Sequence, residues 1–361
     1  MTTLGAFLMN GSLLSALLVV SLREVAPRFG FVDRPAARKS HEGAIPLCGG
    51  LAMFMAYLVT MLQMDASFRP SWGFMAGITT LVIMGAADDR LNLSAVLRLV
   101  VQVAVAIGFI LADGRVIGSL GLPLSFNIAE TPAMQGAFAV LTVVFVVGLI
   151  NAFNMIDGLD GLAGGCAAAA LFWLAMAAII LGRGADKVQL LLLLAVVLGF
   201  LAFNMRYPTR SRALVFIGDA GSMMLGGAIA YFIIGFSAGP GPAIPFVVLL
   251  WVCIVPVVDT LSLIVRRVAA GRSPFSADRW HLHHLLIDSG YSYERTVSII
   301  VGLAILGGAI ACLGLAVGVP EPALAAALVL PFAAHIAFVR YAMRHRLASH
   351  PQPEQGAVAY K

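Results

Sequence analysis

Five aspartates and three histidines hold the reactive chemistry of a chain that is otherwise 60% hydrophobic and only 11% charged. Asp157 and Asp160 lie three residues apart among glycines in NAFNMIDGLDGLAGG, residues 151–165. Asp88 and Asp89 are adjacent in GAADDRLNLS, Asp219 stands between glycines in FIGDAGSMMLGG, and His281, His283 and His284 follow one another in RWHLHHLL. Carboxylates bind divalent cations and orient nucleophiles, whereas a histidine- and arginine-rich loop neutralises phosphate. Together they suit a nucleoside diphosphate carried on Mg²⁺, with Mn²⁺ as a substitute, because Mg²⁺ needs only one or two protein carboxylates besides phosphate oxygens and water. The reaction class is then phosphoryl transfer, achieved mainly by positioning and charge neutralisation.

Each motif has its own geometry. At i and i+3, Asp157 and Asp160 point to one side if this segment is helical, while Gly158 and Gly161 weaken the helix and let a ligand approach the backbone; Asn151 with Asn154 repeats that spacing one turn earlier, giving a polar stripe. Its plain alternative is a hydrated helix end with Asp and Asn caps. Asp88 and Asp89 diverge by about 100° on a helix, so one faces the reaction and the other pairs with a cation or orients a ligand. Asp219 or Ser222 caps the following helix, whose free first-turn N–H groups suit a phosphate or a metal-bound diphosphate. The histidine loop also carries Arg266, Arg267, Arg272 and Arg279, which favours phosphate over a zinc ion as its partner. Arg98 with Gln102, and Arg38, Lys39 and His41, are further candidates for an anionic headgroup. Asp259 is either a site group or a helix-packing contact, and His335 is read as a packed or interfacial histidine.

Long apolar runs must carry these residues. Candidate membrane spans are 4–22, 46–64, 72–88, 95–112, 134–151, 162–181, 188–205, 219–237, 243–265, 296–318 and 322–341, about eleven helices in an all-α integral membrane protein. The first span has no Lys or Arg before it, and Arg23 and Arg28 follow it, so it reads as a retained helix with its N-terminus outside. Alternation from there places nineteen of the 23 Lys and Arg residues on the cytoplasmic side, leaving Arg69, Arg115, Arg183 and Lys187 outside. The same alternation puts Asp88, Asp89, Asp157, Asp160 and Asp219 at cytoplasmic span ends. Burying an aspartate at a bilayer centre costs about 2.5–3.5 kcal/mol on insertion scales, so these acids are expected to share one hydrated cavity at the inner face.

The net charge of +5 reflects this topology and attraction to anionic lipid, and no nucleic-acid partner is expected. Cys48, Cys166, Cys253 and Cys312 contain no CxxC pair and are expected to be free, buried thiols. Residues 1–343 read as one membrane domain and 344–361 as a short cytoplasmic tail. Alternation of Leu120, Leu122, Leu124, Phe126 and Ile128 predicts a short strand or hairpin on the outer surface.

Five motifs in register, RKSHEGAIPLCGG, DDRLNLSAVLRLVVQ, NAFNMIDGLDGLAGG, FIGDAGSMMLG and HLHHLL, resemble the polyprenyl-phosphate N-acetylhexosamine-1-phosphate transferases. The HLHH form is more similar to the branch that starts O-antigen, common-antigen and teichoic-acid linkages than to the muramoyl-pentapeptide branch. The resemblance implies a multi-pass enzyme of the bacterial inner membrane, acting in lipopolysaccharide or cell-wall biogenesis. It would move N-acetylglucosamine 1-phosphate from UDP-N-acetylglucosamine to undecaprenyl phosphate and release UMP, with a homodimer as a further partner state. It also implies that Asp219 binds Mg²⁺, with Asn154 as a second metal residue, and that Asp88, Asp89, Asp157 and Asp160 are the catalytic acids. His281, His283, His284, Arg279, Asn151, Asn154, Arg98 and Lys39 would bind substrate. Asp88 either positions and deprotonates the lipid phosphate or attacks as a covalent nucleophile. A membrane prenyltransferase and a secondary transporter are the rival readings: the first leaves the GDAGS and HLHH motifs unexplained, and the second expects midplane acids at an internal repeat.

Overall fold

The computed structural model describes residues 2–33, 44–118, 120, 131–238, 242–271 and 280–349. Arg38, Lys39, His41, Arg272, Arg279 and most of the 120–128 segment read as a strand lie outside the described residues, as does the 344–361 tail from 350 onward, its first residues continuing the last helix. Almost all the rest is helical: α1 (Thr2–Val25), α2 (Gly49–Leu62), α3 (Trp72–Leu91), α4 (Ala95–Asp113), α5 (Pro132–Ile156), α6 (Leu162–Ile180), α7 (Gly184–Asn204), α8 (Gly218–Ser237), α9 (Phe246–Leu249), α10 (Ile254–Ala269), α11 (Leu282–Asp288), α12 (Tyr293–Ala316), α13 (Glu321–Ala327) and α14 (Val329–Ser349). Among the described residues, nine helical stretches are long and apolar enough to cross a membrane. The two remaining candidate spans are weaker for visible reasons. Helix α2 has only 14 residues, and α3 gives its last turn to Asp88, Asp89 and Arg90.

Helix ends follow local chemistry. Ser71, Ser94, Thr131 and Ser292 each accept a hydrogen bond from the backbone N–H three residues on, satisfying a first-turn donor of α3, α4, α5 and α12. Asn92 and Gly114 close α3 and α4 in the left-handed conformation. Two spans keep their membrane length but carry an internal break. The last divides at Leu328, between α13 and α14, because the ring of Pro331 conflicts with the carbonyl four residues back, at Ala327. Pro256 acts likewise near the start of α10, which follows a tight 3-10 turn at Leu250–Cys253.

Helix α8 lies at the centre, buried along its whole length apart from part of Asp219. A helix apolar on every side belongs in the interior. Helices α2, α3, α5 and α6 pack around it. Between apolar helices in lipid, association depends on close packing of small residues more than on water exclusion. Gly226 accordingly meets the backbone of Leu149 and Ile150 on α5. The peripheral helices α1, α4 and α14 instead leave Leu13, Leu111, Val329 and Leu330 largely exposed, the surface a lipid-facing layer presents. All four cysteines are buried and free, as expected.

A small ribbon interrupts the all-helical pattern. Val32–Asp33 and Ile45–Pro46 pair antiparallel as β1 and β2, and Phe216 extends the edge by donating its N–H to Pro46 O at 2.9 Å. Gly49 and Gly50 then donate to Phe216 O and Ile217 O at 3.0 and 2.8 Å. This ties the start of α2 to the start of α8, at the end of the bundle where the acids lie.

Candidate functional site

The adjacent acids of α3 diverge, as the helical geometry predicts. Asp88, only 4% exposed, accepts from Leu93 N at 2.7 Å through Oδ1 and from Arg98 Nη1 at 2.6 Å through Oδ2. Asp89 turns to α8 and accepts from the backbone N–H groups of Asp219 and Ala220 at 2.8 and 3.3 Å. Neither Asp219 nor Ser222 caps α8 by its side chain. The expectation of a free helix N-terminus open to phosphate is corrected accordingly: the negative charge favoured there is supplied by Asp89 from another helix. Gly218 makes this possible, with φ of +69° and the Asp89 carboxylate where a Cβ would stand.

Asp219 is released by that arrangement to point its carboxylate elsewhere. Its Oδ1 accepts from Asn154 Nδ2 at 2.5 Å, and the same amide reaches Ser222 Oγ at 3.1 Å. Its Oδ2 lies 3.9 Å from Arg98 Nη1, so one guanidinium approaches both Asp88 and Asp219. Asn151, one turn before Asn154, is engaged differently: its amide donates to Gln102 Oε1 at 2.6 Å and to Val147 O at 2.8 Å. Arg98 and Gln102, paired by spacing in the sequence, therefore serve two neighbouring parts of one polar layer.

Gly85, one turn before Asp88 and Asp89, touches the backbone of Asp219 and Ala220 where any Cβ would stand. Close contact of α3 and α8 thus fixes the spacing of all three acids. We expect Gly85→Val to displace the start of α8, with an overpacking cost of about 1–3 kcal/mol. A lowered melting temperature together with reduced turnover would be the result; a variant with native melting and native activity would contradict this scaffold.

Asp157 caps the end of α5 and is half-buried in the loop that leads to α6. Burial, followed by the negative fields of Asp219, Asp89 and Asp160, raises its carboxyl well above the usual carboxylate range. Asp160 is held otherwise. Its Oδ2 accepts from Arg206 Nε at 2.8 Å and from Ala213 N at 3.0 Å, its backbone N–H meets the Tyr293 hydroxyl, and the Arg206 guanidinium lies over the Tyr293 ring. Gly161, with φ of +80°, turns the chain into α6 while its N–H donates to Asn204 Oδ1 at 2.8 Å. The segment is a turn between α5 and α6, not the helix on which the two acids would share a face, and they divide their work: Asp157 lies in the field of the other acids, while Asp160 ties the loop to Arg206, Ala213 and Tyr293 and Gly161 ties it to α7.

The histidine motif sits against that loop. His283 presses its Nε2 edge on Gly158, its ring stacks near-parallel to His281 with centroids 5.7 Å apart, and His284 tilts against it at 4.2 Å. Asp259 of α10 anchors the motif through His281 Nδ1 at 3.0 Å and Leu282 N at 2.9 Å, and Arg266 donates to Trp280 O at 2.9 Å just before it. His335 is buried on α14, 3.8 Å from Asp259. Arg206, Tyr293 and Asn204 were missed by sequence reasoning. Arg206 reads only as one of many cytoplasmic cations, and Tyr293 and Asn204 sit in ordinary helix ends, so only tertiary contacts reveal them.

Carboxylates, a guanidinium shared by Asp88 and Asp219, and imidazoles gather at one end of an apolar bundle whose helices are long and apolar enough for a multi-pass membrane protein. Residues 71–237, from the Ser71 cap to the end of α8, match the profile of glycosyl transferase family 4. A Haemophilus influenzae protein named undecaprenyl-phosphate alpha-N-acetylglucosaminyl 1-phosphate transferase is 32% identical over 353 residues, 95% of this chain and 93% of its own. Proteins of the same name from Escherichia coli (strain K12) and Salmonella typhi are 30% and 32% identical over 303 and 299 residues, covering 84% and 82% of this chain and 81% and 80% of theirs. The chain belongs to glycosyl transferase family 4.

Proposed function

We propose that this protein transfers N-acetylglucosamine 1-phosphate from UDP-N-acetylglucosamine to undecaprenyl phosphate, releasing UMP and leaving a diphosphate-linked sugar on the lipid. The observation that carries this reading is the convergence of Asp88, Asp89, Asp157 and Asp219 with Arg98 and the histidine motif at one end of the bundle. Relatives named for that reaction along nearly the whole chain support it. In this reading the eleven apolar segments cross the bacterial inner membrane with the N-terminus outside and the C-terminus in the cytoplasm. The site then opens to the cytoplasm, where a soluble donor meets a membrane-held acceptor. The product would start a lipid-linked cell-surface polysaccharide such as O-antigen. A homodimer belongs to the same proposal, and native mass spectrometry of the solubilised chain reads it directly.

Mg²⁺ belongs to the same proposal: Asp88 and Asp219 both approach the Arg98 guanidinium, an arrangement of acids that a divalent cation would reinforce, and Mg²⁺ would take most of its ligands from phosphate and water, since among the described residues no three metal-ligating side chains cluster. Asp219, oriented by Asn154, would hold the ion with Asp157 or Asp88 beside it, and the ion would supply charge neutralisation on the diphosphate. The chain's own groups do the rest. Arg98 and Asp88 orient the lipid phosphate, whose second ionisation near pH 6 leaves it largely ready to attack at neutral pH. Its oxygen bonds to the sugar-linked phosphorus in line, the bridging P–O bond breaks, and UMP departs toward the histidine motif. Lys39 and Arg279 are assigned to the same anionic substrates.

Both oxygens of Asp88 are already engaged, by Leu93 N and by Arg98, which favours direct transfer over a covalent intermediate. Incubation with labelled UDP-N-acetylglucosamine and no acceptor should therefore leave the protein unlabelled; a stable phospho-Asp88 peptide would overturn the direct route. The function itself is tested by supplying purified protein with undecaprenyl phosphate, Mg²⁺ and a panel of UDP-N-acetylhexosamines. A lipid product with the mass of undecaprenyl-diphospho-N-acetylglucosamine, formed with UMP, is the expected result. Release of inorganic diphosphate from a prenyl donor, or ion-coupled uptake without sugar transfer, would replace the reading.

A further inference from the structure

Asp259 is an expensive residue for its location. It lies on α10 within an apolar span and is only 2% exposed, where an isolated carboxylate is penalised by several kcal/mol unless paired. Helix packing alone does not require that charge, since an asparagine could also accept from the Leu282 N–H. What a carboxylate adds is a strong, oriented bond to an imidazole, and His281 Nδ1 lies 3.0 Å from Asp259 Oδ2. Oδ1 takes Leu282 N at 2.9 Å and lies 3.8 Å from His335 Nε2. One carboxylate thus joins α10, the first turn of α11 and α14.

The bond has a chemical consequence. With Nδ1 donating to Asp259, the ring orientation and tautomer of His281 are set, and Nε2 is left as the working nitrogen. Among the described residues Nε2 makes no hydrogen bond. The ring runs near-parallel to that of His283, which rests on the Asp157 loop.

We propose that Asp259 is a positioning residue for sugar-phosphate transfer, holding His281 through Nδ1 so that Nε2 is presented to the phosphate of the departing nucleotide. This rests on the transferase reading above. His335 contributes by closing the buried side of Asp259, and touches no substrate.

The test is a double-mutant cycle in the purified, full-length protein, read as UMP release with donor and acceptor varied separately. Asp259→Asn should lower kcat/KM for the nucleotide sugar by about 10- to 100-fold, the scale of losing a buried group that orients a first-contact residue, and leave the acceptor KM unchanged. In a His281→Ala background the same substitution should cost less than about 3-fold, because its route of action is gone. Melting temperatures of all variants separate folding defects from these effects, and Asp259→Glu, which keeps the charge, should recover part of the lost activity if it folds. Asp259→Asn with wild-type kcat/KM, a loss of equal size with and without His281, or a loss confined to the acceptor KM would overturn the proposal while leaving the transferase reading intact. A wild-type chain that releases no UMP from any nucleotide sugar would remove both.

Discussion

Asp219→Asn is expected to lower kcat by about 10²- to 10³-fold or more, the scale of deleting one preorganised charge-stabilising group, while the protein melts at or above its native temperature. The two halves of that expectation come from the same geometry. Asp219 makes one firm side-chain bond, to Asn154, and an amide can replace a carboxylate as the acceptor there. Folding therefore loses little. Removing a negative charge that neighbours Asp88 and Asp157 also relieves repulsion. A divalent cation, however, loses the carboxylate best placed to receive it. Thermal melting and UMP release, each titrated with Mg²⁺, check the claim. Near-normal turnover at ordinary Mg²⁺ would end the assignment of Asp219 as the metal ligand.

Asp157→Asn should separate stability from activity more sharply. In the unfolded chain Asp157 titrates near pH 3.9, whereas in the fold burial and neighbouring acids hold its carboxyl well above that value. A raised folded pKa means that the folded state binds the proton more tightly. Stability is therefore lost as pH rises from about 4 through the folded value, and the loss is complete above it. The asparagine variant carries no such penalty. Without Mg²⁺, its melting temperature at pH 7–8 should exceed that of the wild type, and the advantage should shrink toward zero near pH 4. Turnover should nevertheless fall, because the penalty is the cost of keeping a carboxylate where a cation and a diphosphate are to be received. An Asp157→Asn protein that is less stable than wild type at pH 7–8, or more stable by the same margin at pH 4, would show that Asp157 is not the strained acid of this cluster.

Much of this architecture could be read from the chain. Apolar runs mark nearly every helix to within a few residues, since a bilayer-spanning helix must satisfy its own backbone and offer lipid a continuous apolar surface. The divergence of Asp88 and Asp89 followed from helical geometry, and among the described residues the acidic motifs and the histidine motif lie at one end of the bundle. The partners of those motifs were another matter. Asp89 caps a helix through a backbone N–H 130 residues later in the chain, so the α8 N-terminus looked free in sequence. Asp160 and Asp157 have identical spacing signals, but Arg206 and Tyr293 claim only Asp160. Asp259 stood evenly between packing and function until its bond to His281 was visible. Pro331 was inside an apolar run long enough to span, and only its conflict with the preceding turn shows that the run is two helices.

Sidedness is the measurement on which the account turns. Single cysteines at Asn92, just past the Asp88–Asp89 turn, and at Ser289, just past the histidine motif, can be probed in sealed vesicles of both orientations with a membrane-impermeant maleimide. The four native cysteines are buried and should contribute little background. Labelling of both positions only when the cytoplasmic face is outward is the predicted result. Labelling from opposite faces would place the imidazoles across the membrane from the carboxylates, and no single site could then perform the transfer.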